Sequence, residues 1–219
     1  MSIVTPDGGL TTLGYVLCGA LIVALILAAA FLSSKNSARK KLSTKQLVFC
    51  AAAMALSFIT SYIKILSMPY GGSITLFSML FICLIGYWYG PGVGIMTGLA
   101  YGILQFLQEP YVLSLFQVCC DYVLAFAGLG LAGLFAKSKN GLVKGYLLGI
   151  FVRGAFHTLG GYLYWMDYMP ENFPQAIASL YPIVYNYSYI LAEGILTVIV
   201  ISLPPVAKAL AQVKRSAVS

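Results

Sequence analysis

Uncharged apolar runs of helical length recur from one end of this chain to the other, separated by turn-forming residues. The first covers residues 11–32 without a charged side chain, and about 20 apolar residues suffice for a helix to cross a bilayer. Only 9% of the 219 residues are charged and 60% are hydrophobic, which is too apolar for a soluble domain. Membrane β-strands would instead alternate in polarity over about ten residues. The sequence therefore predicts an all-α integral membrane protein.

Seven runs are predicted to span the membrane. The first, residues 11–32, is interpreted as an extra N-terminal helix because no Lys or Arg precedes it, although cleavage as a signal peptide is the alternative. The chain then divides into this helix with a basic loop (1–45), a six-helix membrane domain (46–207) and a basic tail (208–219). The six spans of the membrane domain are expected near residues 46–66, 74–87, 93–107, 111–135, 145–165 and 179–203.

The placement of the charges predicts the orientation. A net charge of +7 could suggest nucleic acid, but the basic residues collect in alternate loops between the runs. The positive-inside rule assigns those loops to the cytoplasm, so the N-terminus is expected outside and the C-terminus in the cytoplasm. Asp167 and Glu171 then fall in an outer loop. The basic residues on the predicted inner side are Lys35, Arg39, Lys40, Lys41, Lys45, Lys137, Lys139, Lys144, Lys208, Lys214 and Arg215.

Residues 152–165, VRGAFHTLGGYLYW, combine the only histidine with an indole inside an apolar run. On a helix, His157, Gly161 and Trp165 share one face because they are four residues apart, and Tyr164 and Tyr168, seven and eleven residues after His157, fall on the same side. Imidazole offers a donor and an acceptor, indole offers a flat π-surface, and glycine leaves room for close approach. This pattern indicates a site for a flat ligand. The alternative is that His157 simply hydrogen-bonds a neighbouring helix.

Three ionisable residues, Asp121, Arg153 and Glu193, lie inside predicted spans, where a charge is costly and is usually paired or faces a cavity. We expect Arg153 and Glu193 to form a buried pair, because their predicted depths are similar. Asp121, next to Tyr122, has no obvious basic partner other than Arg153. A carboxylate facing an outward pocket would suit a cationic ligand, and a protonated or water-linked Asp121 is the alternative.

The last predicted span begins with the segment LYPIVYNYSY. Tyr181, Tyr185 and Tyr189 form a stripe at helical spacing, for which interfacial anchoring is the common explanation. Asn186 carries an amide that can both donate to and accept from a heteroaromatic ring. Together with the preceding residues, these groups predict an aromatic-walled pocket for a small, flat, cationic solute.

Five segments, in this order and at these separations, resemble the thiamine-specific substrate-binding components of bacterial energy-coupling-factor (ECF) vitamin transporters. The resemblance covers about residues 46–207. The segments are MPYGGSITLFSML, YWYGPGVGIMTGLAYG, PYVLSLFQVCCDYVLAFAGLGLAGL, RGAFHTLGGYLYW and LYPIVYNYSY. The resemblance implies a six-helix substrate-binding (S-component) bundle in the bacterial cell membrane, to which residues 11–32 add an extra transmembrane helix.

The resemblance also implies the substrate site. By analogy, the acid would meet cationic thiamine, hydrogen-bonding groups on the last two helices would bind the aminopyrimidine, and Trp165 would stack on a ring. The implied substrate-binding residues are Tyr111, Asp121, Tyr122, His157, Gly161, Trp165, Tyr181 and Asn186.

The implied partners are a membrane coupling subunit and two ATP-binding subunits. Ala51 and Ala55, four residues apart in FCAAAMALSF, match an alanine pair that docks onto the coupling subunit in this family. The chain has no G-x-x-x-x-G-K-S/T segment for nucleotide, and neither catalysis nor a cofactor or metal is expected.

Two alternatives stay open. One is a carrier for another cationic or heteroaromatic solute, such as a thiamine precursor. The other is an intramembrane enzyme with His157 and Asp121 as an acid–base pair, although no nucleophile is evidently placed beside them.

The chain also departs from the family pattern. Some members have Glu at the position of Asp121 and Trp at the position of Gly72, so a lid over the site would be built differently, with Tyr70 as a candidate.

Overall fold

A computed structural model describes residues 42–219 and, before them, residues 11–13, 15, 16 and 20. Apart from those few positions, the predicted span 11–32 and its basic cluster up to Lys41 lie outside the described residues.

The described chain is almost wholly helical, which confirms the all-α prediction. By length and composition, three segments are apolar enough to cross a membrane: Thr44–Ser61, Leu115–Phe135 and Gln175–Ser202. The helices are α1 (Thr44–Ser61), α2 (Ser78–Tyr89), α3 (Pro91–Gln108), α4 (Leu115–Phe135), α5 (Gly141–Tyr164), α6 (Tyr181–Ser202) and α7 (Pro204–Val218).

Local sequence signals account for several helix ends. Ser43 and Gln46 form a capping box at the start of α1, with the Gln46 N–H donating to Ser43 Oγ at 3.2 Å. Gly90, at φ 93°, ends α2, and Pro91 opens α3 in the first helical turn. This tight connection is the inner turn that the YGPG sequence predicts. The predicted basic tail is helical, since α7 begins at Pro204.

The predicted span 46–66 is wrong at its second end. Helix α1 stops at Ser61, and Lys64–Ser67 forms strand β1, which pairs antiparallel with β2 (Ser73–Thr75). A short 3₁₀ turn, Pro69–Gly71, connects the strands. Apolar periodicity cannot separate a short strand from a helix end, so backbone pairing across the turn decided the conformation. We call residues 64–75 the hairpin.

Glycines allow three helices to approach closely in the core. Gly86 on α2, Gly94 on α3 and Gly130 on α4 meet, and a Cβ on Gly94 would lie 2.5 Å from the Gly86 Cα. Small residues at helix crossings are the usual means of close packing in membranes. Large apolar side chains such as Met96, Phe151 and Ile195 are exposed on the outside, where lipid would cover them.

Helix α4 is irregular. An α-helical turn at Leu115–Val118 leads into a π-helical turn at Cys119–Leu124, then into an α-helical segment, Ala125–Leu129, and a 3₁₀ segment, Gly130–Phe135. Single π turns inside helices occur frequently at functional sites. The π turn here contains Asp121 and Tyr122, so the irregularity falls at two predicted site residues.

Candidate functional site

One cavity of about 490 Å³ lies at the hairpin end of the bundle, where α1, α3 and α5 finish and α2, α4 and α6 begin. Its volume falls in the range of small-molecule sites. The structure brings together every residue predicted for the substrate site. The lining includes Tyr111, Asp121, Tyr122, His157, Gly161, Trp165, Tyr181 and Asn186.

His157 and Asp121 are hydrogen-bonded across the cavity wall. The Nδ1 atom of His157 lies 3.1 Å from Oδ1 of Asp121, and Gln117 Nε2 donates to the other carboxylate oxygen at 2.8 Å. Sequence analysis identified no basic partner for Asp121 except Arg153, and this is corrected: its partner is the imidazole. Gly160 makes room for the contact, because a Cβ there would lie 3.0 Å from Asp121 Oδ1.

The other imidazole nitrogen, Nε2 of His157, is buried and has no hydrogen-bond partner within the described chain. When Nδ1 donates to the carboxylate, a neutral imidazole presents Nε2 as an acceptor. A buried polar atom without a partner is costly, and a ligand donor can remove that cost. The Asp121 contact therefore prepares an acceptor for a ligand N–H group.

The side-chain amide of Asn186 forms its hydrogen bonds with other groups of the protein. Its Nδ2 donates to the Pro182 carbonyl at 2.9 Å and to the His157 carbonyl at 3.3 Å, and its Oδ1 accepts the Tyr189 hydroxyl at 3.0 Å. Asn186 thus ties α6 to the backbone beside His157. Gly161 permits this approach, since a Cβ there would lie 3.1 Å from Asn186 Nδ2. Both amide hydrogens already have acceptors within the protein. The amide is therefore not free to hydrogen-bond a heteroaromatic ligand ring in the way that sequence analysis expected.

Aromatic rings form one wall of the cavity. The Trp165 indole lies between two tyrosines, with ring centroids 5.1 Å from Tyr111 and 5.0 Å from Tyr168. The Tyr181 ring, almost fully buried, continues the wall at 5.8 Å from Tyr185. Sequence analysis placed Tyr168 on the same helix face as His157 but included neither Tyr168 nor Tyr185 among the substrate-binding residues. Tyr185 belongs to the tyrosine stripe of α6, and that stripe was the sequence pattern that could have identified it as a site residue.

Tyr122 lines the cavity, but its hydroxyl binds backbone. It donates to the Glu109 carbonyl at 2.7 Å and accepts the Tyr111 N–H at 3.1 Å. Tyr122 therefore holds the connection between α3 and α4 in place and positions Tyr111. Any contribution of Tyr122 to ligand binding would come from its ring.

The prediction of a buried ion pair between Arg153 and Glu193 is wrong, since these two side chains form no such pair within the described residues. The Glu193 carboxylate accepts three hydrogen bonds from the end of β2 and the start of α2: Thr75 N–H at 2.8 Å, Thr75 Oγ1 at 2.7 Å and Met79 N–H at 3.4 Å. The Arg153 guanidinium lies over the Phe126 ring, 4.2 Å from its centroid. Backbone donors and an aromatic face stabilise these charges instead. Which groups contact Glu193 and Arg153 depends on tertiary packing that no local sequence pattern reveals.

The hairpin borders the cavity. Gly72 lies against the Tyr189 ring so closely that a Cβ would be 2.6 Å from Cε1, which leaves no space for a tryptophan at this position. The side chain of Tyr70, the candidate lid residue, lies outside what the structure describes. At the rim, Lys64 Nζ and Glu109 Oε1 form an ion pair at 2.5 Å.

The fold and the cavity define a helical membrane protein with a small-molecule site at one end of its bundle. The chain matches the sequence profile of the family described as thiamine transporter protein (Thia_YuaJ) over residues 47–212. It therefore belongs to the thiamine transporter family.

A curated relative agrees with this assignment, and a solved structure agrees with the fold. The thiamine transporter ThiT of Bacillus subtilis (strain 168) is 31% identical over 175 residues, which cover 71% of this chain and 85% of that protein. A solved structure of ThiT from Listeria monocytogenes superposes with a TM-score of 0.58 at 24% identity. The superposition covers 73% of this chain and 94% of that one, and it supports the helical fold.

Proposed function

We propose that this chain captures thiamine as the substrate-binding component of an ECF-type importer. The observation that carries the proposal is the buried His157 Nε2 acceptor, left without a partner in the described chain and oriented by Asp121 beside an aromatic wall. Thiamine carries an aminopyrimidine with an N–H donor and a cationic thiazolium. The amino group would satisfy Nε2, and Trp165 would stack on one of the rings.

Charge in the cavity supports a cationic ligand. Glu109, Asp121 and Glu193 contribute three carboxylates to the lining, whereas Lys64 and Arg153 contribute two cations. A cation entering this site gains from the excess negative charge and from the faces of the tyrosine and tryptophan rings. A flat cation of thiamine's size fits such a wall, and the proposal assigns no chemical step to the chain.

The test is calorimetric titration of the detergent-purified full chain with thiamine and separately with its aminopyrimidine moiety. We expect thiamine to bind with a nanomolar Kd, equivalent to about −12 kcal/mol, and the moiety to bind much more weakly because it lacks the cation. Binding of the moiety as tightly as thiamine would instead favour a precursor carrier. Absence of thiamine binding would refute the proposed substrate.

The same proposal includes a membrane coupling subunit and two ATP-binding subunits as partners. Ala51 and Ala55 are both exposed on α1, so a second helix could approach their face closely. Three lysines lie at the bundle end opposite the hairpin: Lys137 in the α4–α5 connection, Lys144 in the first turn of α5, and Lys208 on α7. By the positive-inside rule that end faces the cytoplasm, and the cavity faces outward in the bacterial cell membrane.

Docking is tested by introducing bulk on α1. We expect Ala51→Trp to abolish ATP-dependent thiamine uptake in cells while leaving thiamine binding by the purified chain unchanged. Ala155→Trp is the matched control, because Ala155 is an exposed alanine on α5. If both variants transported equally well, the face around Ala51 and Ala55 would have no docking role.

A further inference from the structure

Helix α2 is too short to cross a bilayer. Its 12 residues, Ser78–Tyr89, span about 18 Å, whereas the hydrocarbon core is about 30 Å thick. The preceding hairpin therefore reaches into the bundle, and non-helical backbone at membrane depth is tolerated only where protein satisfies its polar groups. The start of α2 needs partners from elsewhere in the chain.

The side chain at the N-cap of α2 does not supply them. Phe77 has φ 60°, a left-handed conformation that is unfavourable for an aromatic residue, and makes no side-chain capping bond. One of these donors, the Met79 N–H, bonds Glu193 instead, which lies in the middle of α6 and 114 residues from Met79 in sequence. Glu193 is 2% exposed, and its carboxylate accepts from both the Thr75 backbone and the Thr75 side chain.

The same face of α6 also contacts the outer part of the hairpin. Tyr185, Tyr189 and Glu193 follow one another at four-residue spacing. The Tyr185 hydroxyl donates to the Pro69 carbonyl and accepts the Gly72 N–H, and Tyr189 packs against Gly72. The hairpin is therefore attached to α6 at its tip by a tyrosine and at its base by a buried carboxylate.

We propose that Glu193 is a positioning residue for ligand retention: it caps α2 from α6 and so fixes the base of the hairpin beside the cavity. The inference rests on the proposed function in that thiamine is the ligand retained. Besides the negative charge that it adds to the cavity, Glu193 affects retention through its bonds to Thr75 and Met79, and thus through the hairpin. The exposed Lys64–Glu109 pair can break without disturbing this buried attachment.

The first test measures the dissociation of radiolabelled thiamine from the full chain after a chase with excess unlabelled thiamine. Thr75→Val removes one hydrogen bond to the carboxylate without changing charge, and we expect dissociation about tenfold faster. Thr75→Ser keeps the hydroxyl and should restore the original rate. Thr97→Val is the matched control, since Thr97 is buried on α3, bonds the Val93 carbonyl in its own helix and does not line the cavity.

A double-variant cycle separates positioning from direct ligand contact. Glu193→Gln keeps the shape but loses the acceptor for the Met79 N–H, so it should also accelerate dissociation. If Glu193 acts through Thr75, Glu193→Gln combined with Thr75→Val will be no faster than the faster single variant. Effects that add on a logarithmic scale would mean that Glu193 touches the ligand directly, and the proposal would fall.

Hydrogen exchange of the ligand-free chain provides a readout that does not need thiamine. We expect the amides of residues 63–75 to exchange faster in Glu193→Gln and Thr75→Val, and at the original rate in Thr97→Val. Unchanged exchange in the first two variants would overturn the inference. If the unmodified chain failed to bind thiamine, the proposed function would fail, and the exchange rates would still decide the role of Glu193.

Discussion

His157 Nδ1 lies 3.1 Å from Asp121 Oδ1, although 36 residues separate the two in sequence. The π-helical turn of α4 places the carboxylate, and Gly160 lets α5 come close enough for contact. Because Nδ1 is hydrogen-bonded to Asp121, the other ring nitrogen, Nε2, is the one available to a ligand. Asp121 thus serves both as a negative charge and as the group that orients His157.

Removing the charge of Asp121 should weaken thiamine binding. Asp121→Asn retains the size of the side chain but loses the charge-assisted bond to His157, and such bonds contribute about 1.5–3 kcal/mol. We therefore expect Kd to rise about ten- to hundredfold in calorimetry. Asp167→Asn is the matched control, because Asp167 is exposed beyond the end of α5 and does not line the cavity. Equal affinity in both variants would contradict the role given to Asp121.

Thiamine should quench the fluorescence of Trp165 and not that of Trp88. Trp165 lines the cavity between two tyrosines, whereas Trp88 packs edge-on against Phe49 with centroids 5.9 Å apart, near the opposite end of the bundle. Saturable quenching should persist in Trp88→Phe and disappear in Trp165→Phe. Quenching that survives in Trp165→Phe would place the ligand away from this wall.

A methyl group at Gly161 should separate α5 from α6. The added Cβ would lie 2.8 Å from the Pro182 Cβ, so Gly161→Ala is expected to lower the free energy of unfolding by about 1–3 kcal/mol. Gly92→Ala is the control, since nothing lies within 4 Å of a Cβ there, and alanine is the better helix former by about 0.5–1 kcal/mol. Thermal unfolding in detergent should rank Gly92→Ala at or above the unmodified chain and Gly161→Ala below it.

The rim ion pair should contribute little to stability. Lys64 and Glu109 have side chains 32% and 61% exposed, and exposed pairs are typically worth less than about 1 kcal/mol. Glu109→Gln should therefore change the unfolding free energy by less than that amount, and the small difference should vanish in 1 M salt. A loss of several kcal/mol would mean that the hairpin depends on this pair and not on Glu193.

Much of the fold was predictable because lipid imposes simple rules. The uncharged runs predicted the membrane helices, and the YGPG turn predicted the connection between α2 and α3. Ends were less predictable: Lys64–Ser67 continued an apolar run and became a strand because its backbone pairs with Ser73–Thr75. Hydrophobicity identifies which residues avoid water, but it does not identify their hydrogen-bond partners.

The candidate site shows the same division. The sequence by itself determined which side chains could recognise a flat cation, and His157, Trp165 and Asp121 do meet at one cavity. Only the tertiary structure decided their pairings: Asp121 with His157, Asn186 with backbone, and Glu193 with Thr75 and Met79 in place of Arg153. The reason is physical. A buried polar group bonds whichever donor the folded backbone places within about 3 Å, and that distance is set by helix packing across the whole chain.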